Sequence, residues 1–348
     1  MEKKNIFDFT LAKLTEEFVS LGQTKYRAKQ LFSWIYKKKV LDFDLMSDIS
    51  LSFRAYLKEN YCLTLPSIYK QQEASDGTIK LLLELGDRAK VETVLMRYNY
   101  GNVICVSSQV GCNMGCAFCA SGLLKKERNL KTSELLGQVL VMNQLLENDA
   151  PVSHIVVMGT GEPFDNYDNV MDFIKISNDP AALEIGARHI TVSTCGLVPG
   201  IKKYGKEGLQ INLAISLHAP TDELRKKIMP VASPYPLSEL MEALREYEAD
   251  SSRRITFEYI MLKDFNDSIE CANQLASLIY DNNIYAYVNL IPYNEVKENP
   301  FKRSPNDRVR EFANVLLRRG INTTIRKEFG TDIDAACGQL RAKVILGE

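Results

Sequence analysis

The chain reads as an α/β protein, a partial (β/α)6 barrel preceded by a small helical domain. Three observations predict this. From Val103 onward, short apolar and β-branched runs alternate with stretches of helical periodicity, the pattern that builds parallel strands joined by right-handed helical crossovers. Before Pro66 the apolar residues fall at helical spacing. The chemically unusual residues sit at the C-terminal ends of the expected strands, where α/β barrels carry their chemistry. With about six repeats, the pattern is too short for a closed eightfold barrel.

Residues 1–65 form the helical unit. Leu11, Leu14, Phe18 and Leu21 share a helical face, with Gly22 as the stop. Thr24 is placed to cap a second helix that buries Ala28, Leu31, Phe32 and Ile35 and ends at Lys37-Lys38-Lys39. A third helix covers 51–58. Residues 66–100 form a β-rich linker, with strands at 78–85 and 91–96 and turn signals at Asp76-Gly77 and Gly86-Asp87. On the second of these strands Glu92 shares a face with Val94; the plain alternative is an exposed edge carboxylate. The barrel domain, 101–348, opens with strand 103–108. Helix 133–146, strand 154–158, helix 167–176 and strands 189–193 and 211–218 follow. Helices near 221–228 and 237–248, strand 255–261, helix 268–280, strand 285–291, helix 305–318 and strand 322–327 complete it.

Composition limits the function. Of 348 residues 45% are apolar and 25% charged, with net charge −1, an ordinary globular mix. The total excludes a strongly basic nucleic-acid binder, so any RNA site must be a local patch. Basic clusters stand at Lys37–Lys39, Lys125-Lys126, Lys202-Lys203, Arg225–Lys227, Arg253-Arg254 and Arg318-Arg319. Each reads as a solvated face, some of them as part of an RNA track around the barrel mouth. No run of about 18 apolar residues suggests a membrane span, and no apolar run follows the first residues as in a signal peptide. A reducing, cytoplasmic compartment is therefore expected. In it the eight cysteines point to metal or redox chemistry rather than structural disulfides.

Three of those cysteines, Cys112, Cys116 and Cys119, lie within eight residues. A zinc site would need a fourth ligand nearby, yet the next histidine is His154 and the next cysteine Cys195. Three thiolates with an open fourth position suit a [4Fe–4S] cluster in which one iron lacks a protein ligand. Gly159-Thr160-Gly161-Glu162 follows a strand; its glycines let backbone approach a small ligand, and Glu162 can accept from an ammonium group. Ser193, and Ser216-Leu217-His218, end two further strands, and Asn294 follows another. Cys337 sits among small residues, as suits a loop that delivers a thiol. Cys105 is a second lone thiol, seven residues before Cys112.

These residues resemble the RlmN/Cfr family of radical S-adenosylmethionine (SAM) RNA methyltransferases. The resemblance runs through Ser75-Asp76-Gly77-Thr78, Val91-Glu92-Thr93-Val94, residues 105–119 including Phe118, residues 158–163, Ser216-Leu217-His218-Ala219 and residues 332–340. It implies that Cys112, Cys116 and Cys119 hold a [4Fe–4S] cluster. It also implies that Gly161, Glu162, Ser193, Ser216, Leu217, His218 and Asn294 bind SAM, two molecules per turnover. Cys337 is then methylated by one SAM. A radical cleaved from the second removes hydrogen from that methyl group, the methylene radical adds to adenine, and Cys105 attacks Cys337 to release the product and leave a disulfide. Glu92 matches a proton acceptor. The substrate implied is an adenosine of 23S ribosomal RNA at the peptidyl transferase centre, with transfer RNA open as a second one. A monomer and an electron donor such as flavodoxin are expected. Gln109-Val110-Gly111 and Glu162-Pro163 resemble the RlmN branch, which methylates C2; Cfr-type relatives, which methylate C8, tend to have Cys and Ala at Val110 and Pro163. Thr160 and Cys195 depart from the commoner Met and Ser. A non-catalytic iron–sulfur RNA-binding assembly factor is the alternative from another class, and it would need neither Cys105 nor Cys337.

Overall fold

The computed structural model describes residues 3–123, 125–251, 253–296, 298–333, 340, 341 and 344. Strands β1 (Ser67–Glu73), β2 (Ile79–Glu84), β3 (Lys90–Tyr98) and β4 (Gly101–Val106) pair antiparallel in succession. From β4 the sheet continues in parallel through β5 (Val152–Val157), β6 (Ile190–Thr194), β7 (Asn212–Ser216), β8 (Ile255–Met261), β9 (Ala286–Pro292) and β10 (Asn322–Ile325). The ten strands thus lie side by side in chain order. Among the described residues β10 pairs only with β9 and β1 only with β2, so the barrel is open on one side. Residues 66–100 continue the barrel's own sheet.

Three helices precede the sheet: α1 (Leu11–Ser20), α2 (Tyr26–Phe32) and α3 (Leu51–Asn60). The Thr10 hydroxyl caps α1 by accepting the Lys13 N–H at 3.2 Å, and Gly22 ends the turn at φ +75°. Thr24 does not cap α2 through its side chain; its carbonyl accepts the Arg27 N–H instead. Helix α2 runs on into a π-helical turn over Ser33–Lys37. Phe18 and Phe53 meet edge to face at 5.1 Å in the middle of this unit. It is tied to the barrel by Asp8, which accepts the Ser133 N–H at 2.7 Å.

The crossover helices are α4 (Thr132–Leu145), α5 (Tyr167–Asn178), α6 (Val198–Gly205), α7 (Asp222–Ile228), α8 (Leu237–Ser251), α9 (Ile269–Asp281) and α10 (Asn306–Arg318). Two elements escape sequence reading. Strand β1 is a polar edge, Ser-Ile-Tyr-Lys-Gln-Gln-Glu, nearly all exposed, so it has no apolar alternation to announce it. Helix α6 contains Pro199, Gly200 and Gly205, which locally argue for a loop. Gly200 is there because a Cβ would stand 2.6 Å from the Phe164 side chain. Among the described residues no helix is long and apolar enough to cross a membrane.

One close contact sets how the N-terminal unit meets the barrel. A Cβ at Gly137, inside α4, would lie 2.5 Å from the Pro66 ring. Gly137→Val should therefore lower stability by about 1–3 kcal/mol through overpacking, read as a lowered calorimetric midpoint. An unchanged midpoint would mean that Pro66 moves aside freely.

Candidate active site

The site begins where β4 and β5 end. The N–H groups of Ser108 and Gln109 both donate to the Thr160 carbonyl, at 2.9 and 3.1 Å. Thr160 N–H donates to the Ser107 hydroxyl, and Glu162 N–H to the Gln109 side chain at 2.9 Å. This contact leaves no room for side chains: a Cβ on Gly159 would lie 2.8 Å from the Ser107 nitrogen, and one on Gly161 2.6 Å from the Ser108 hydroxyl. Gly161 also has φ +113°, a conformation that favours glycine.

The cysteine loop leaves this junction. Gly115 turns it at φ +66°, and Ala117 N–H fixes it to the Ile228 carbonyl at 2.9 Å. Cys112, Cys116 and Cys119 are all half-buried. Burial pushes the Cys112 thiol up to about 11 and Cys116 higher, and each is raised further by the charge of its neighbours. Thiols held this way give up their protons readily only to a cation, which is what iron supplies. Among the described residues no three His, Cys, Asp or Glu side chains converge on a single metal ion. A cubane makes a different demand, one thiolate on each of three separate irons, and a spread trio on one loop fits it.

Around this loop stand the other residues singled out from sequence. Glu162 is buried, and its carboxylate accepts the Phe164 and Cys195 N–H groups at 3.0 and 2.8 Å. Burial raises its pKa against the pull of those amides. Ser193 and Ser216 hydroxyls lie 3.5 Å apart on neighbouring strands. Leu217 is fully buried with its side chain in the core, its N–H donating to the Glu258 carbonyl and its carbonyl accepting from Arg225. His218 has φ +61°, and its ring stands edge-on to Phe118 at 4.9 Å. Its Nδ1 accepts the Ile260 N–H at 3.1 Å. Burial drops its pKa to about 3, so the ring is neutral with its proton on Nε2, a donor. Asn294 is exposed in the loop beyond β9, next to Tyr293, whose hydroxyl donates to the Phe118 carbonyl at 3.3 Å.

A second group sits on the inner face of β2–β4. Glu92 is not an exposed edge carboxylate. It lies 4% exposed on an interior strand, paired at 3.0 Å with the fully buried Lys80. It also accepts the Arg341 N–H at 2.6 Å. Register places Lys80 and Cys105 on either side of Val94, on the face that Glu92 shares. Cys105 is buried with Met96, Val103, Met158 and Phe329. Cys337 lies outside the described residues. The chain before it is held by Asp76, which accepts the Gly330 N–H, and by Asp332, which accepts the Ser75 N–H, both at 3.0 Å.

Sequence reasoning missed two residues. Arg225, read as part of a basic cluster, is fully buried. It donates to the carbonyls of Cys195 at 2.6 Å and Leu217 at 3.2 Å, binding the ends of β6 and β7 together. Glu258, buried in mid-strand, accepts from Asn289 at 2.9 Å. It stands in a polar row with Ser216, Asn289 and Thr324 across four strands. A lone carboxylate in the apolar run 255–261 was its only sequence signal.

A cysteine trio at the end of the first parallel strand of an open α/β barrel defines a radical SAM enzyme, and the Radical SAM superfamily model matches residues 106–274. Enzymes of this class use a [4Fe–4S] cluster and SAM, and the RlmN family uses two SAM molecules per turnover. The model of the ribosomal RNA large subunit methyltransferase N-terminal domain matches residues 4–63. The chain is 51% identical over 347 residues to a probable dual-specificity RNA methyltransferase RlmN of Enterococcus faecalis, covering 99% of this chain and 97% of the relative. It is 52% identical over 340 residues to that of Spiroplasma citri, covering 97% of each. A crystal structure of a radical SAM methyltransferase from Sphaerobacter thermophilus superposes with TM-score 0.90 at 41% identity, covering 97% of this chain and 98% of that one. The chain belongs to the RlmN family of radical SAM RNA methyltransferases.

Arg225→Met removes the donor from two buried carbonyls. At about 1–3 kcal/mol for each orphaned group, the variant should unfold at clearly lower urea and lose iron on purification. Wild-type behaviour in both would leave Arg225 without a structural role.

Proposed function

We propose that this chain methylates C2 of an adenosine in 23S ribosomal RNA at the peptidyl transferase centre, with an anticodon-loop adenosine of transfer RNA as a further target. The supporting observation is that Glu92 and Cys105 share one face of adjacent strands, and that the flanks of the Cys337 segment are tied to Asp76, Ser75 and Glu92 beside them. A binding protein needs neither Cys105 nor Cys337.

In this reading Cys112, Cys116 and Cys119 hold the cluster. Gly161, Glu162, Ser193, Ser216, Leu217, His218 and Asn294 hold SAM. When bound, the pair supplies a methyl group in one use and a hydrogen-abstracting radical in the other. The chain's own residues do the rest. The adenine C2 carbon has no lone pair, so it cannot attack SAM itself, and Cys337 carries the methyl group instead. After the carbon has joined C2, the Cys105 thiolate attacks the Cys337 sulfur. A disulfide forms, the S–C bond breaks, and the carbon keeps the electron pair and takes a proton to become the methyl group. Glu92 serves as the proton acceptor when C2 loses its hydrogen, the unpaired electron of the adduct leaving to a one-electron acceptor of the iron–sulfur class, with Lys80 keeping the carboxylate in place. The adenosine must be unpaired to reach this depth. The chain works as a monomer in the cytoplasm, with an electron donor of the flavodoxin type.

Mass spectrometry of nucleosides from RNA treated with the reduced holoenzyme should give 2-methyladenosine; 8-methyladenosine alone would assign the chain to C8 chemistry. Cys337→Ala should abolish methyl transfer while keeping the iron–sulfur absorbance, and loss of that absorbance would make Cys337 structural. Cys105→Ala should accumulate a covalent protein–RNA adduct on denaturing gels; clean turnover by this variant would remove Cys105 from the reaction.

A further inference from the structure

A cavity of about 870 Å³ is lined by the end of β3, by β4 and β5, by residues at the N-terminal ends of β6 to β9, and by β10 and the chain just after it. Its inner wall includes Val103 and Met158, the neighbours of Cys105, and reaches Glu258. Its mouth has a different composition. Tyr98 and Tyr100 stack there at 4.7 Å, and Tyr100 is exposed. Arg253, Arg254 and Lys327 stand at the same mouth.

Several basic residues elsewhere are paired with carboxylates: Lys37 with Glu184, Lys126 with Asp165, Lys202 with Glu246, Lys203 with Asp168 and Lys227 with Glu223. Among the described residues, Arg253, Arg254 and Lys327 form no salt bridge, though the Lys327 charge helps to hold the Asp76 carboxyl below its ordinary pKa. Arg253 donates to the Asn212 side chain. Arg254 lies over the Tyr287 ring at 4.4 Å, and the Lys327 ammonium stands 4.7 Å from the Phe329 ring. The adjacent carboxylate, Glu328, is turned away to Arg303 at 2.5 and 2.7 Å. A protein of net charge −1 thus presents cations set among aromatic rings at a cavity whose wall includes Val103 and Met158, neighbours of Cys105. Cations that follow a backbone and rings on which bases stack are the two means of holding single-stranded nucleic acid.

We propose that this mouth is the RNA-binding surface: Arg253, Arg254 and Lys327 take phosphates flanking the target adenosine, and Tyr100 stacks a neighbouring unpaired base. The assignment rests on the RNA methyltransferase reading and adds to it the side from which the substrate enters.

The test is fluorescence anisotropy of a labelled RNA hairpin carrying an unpaired loop adenosine, titrated with the full-length holoprotein over a salt series. Arg254→Gln/Lys327→Gln alters residues that form no salt bridge, so folding should survive, as a circular dichroism melt checks. The double variant should bind at least tenfold more weakly at low salt. Its slope of log K against log salt should fall by about 1.4, at roughly 0.7 per single-strand phosphate contact. Tyr100→Ala should weaken binding about tenfold with the slope unchanged, since stacking releases no counterions. Lys202→Gln/Lys203→Gln, two charges removed from α6, should leave the slope as it is. Wild-type affinity and slope in the Arg254/Lys327 variant would overturn the assignment, as would an equal slope loss in the Lys202/Lys203 control. Methylation of the same hairpin is scored separately: a wild type that binds but transfers no methyl group sinks the methyltransferase reading, while the slopes alone judge the mouth.

Discussion

The constraint on which the site depends is the contact between the ends of β4 and β5. Two amides converge on the Thr160 carbonyl, and Gly159 and Gly161 admit no side chain. The rest of the site is connected to it. Gln109 at the junction holds the Glu162 amide, and the Glu162 carboxylate holds the Cys195 amide. The Cys195 carbonyl accepts from Arg225, which also holds Leu217. Leu217 and His218 donate to the Glu258 carbonyl on β8. One continuous run of hydrogen bonds thus passes across the strand ends β4 to β8. In a buried site such groups must be satisfied, because each orphan costs about 1–3 kcal/mol. The ligand-facing geometry is thereby preorganised by the fold.

The Lys80–Glu92 pair shows the same economy with full charges. A buried ion pair contributes little net stability, since desolvation offsets most of the attraction, but removing one partner costs about 3–5 kcal/mol. Its value here is positional. Glu92 receives the Arg341 amide while Asp76 receives that of Gly330. The C-terminal segment is thus registered against β1–β3 from two separated points. The antiparallel strands β1–β3 give the sheet an inner face beyond the parallel barrel, and that face carries Cys105's neighbours.

An open barrel is costly in one respect: β10 offers an unpaired edge near solvent. Its residues are polar and exposed, which limits edge pairing.

The sequence by itself determined the class of the fold and the family. Strand–helix alternation is a local, periodic signal, and the cysteine trio, the glycine loop and Ser216-Leu217-His218 are contiguous, so their chemistry is legible without coordinates. Even β8, Ile255–Met261, has the bounds its apolar run predicts. What only the tertiary structure decided depends on partners far apart in the chain. Arg225 reads as a surface cation until the carbonyl of Cys195, 30 residues away, meets it. Glu92 reads as an edge until β2 and β4 flank it and Arg341, 249 residues on, donates to it. Helix α6 reads as a loop because Gly200 answers to Phe164 on another element rather than to its own helix. Periodicity reports which face a residue turns inward. Whether a charge turned inward finds a counterpart, and whether a cation outside lacks one, is settled by packing between elements that the sequence keeps apart.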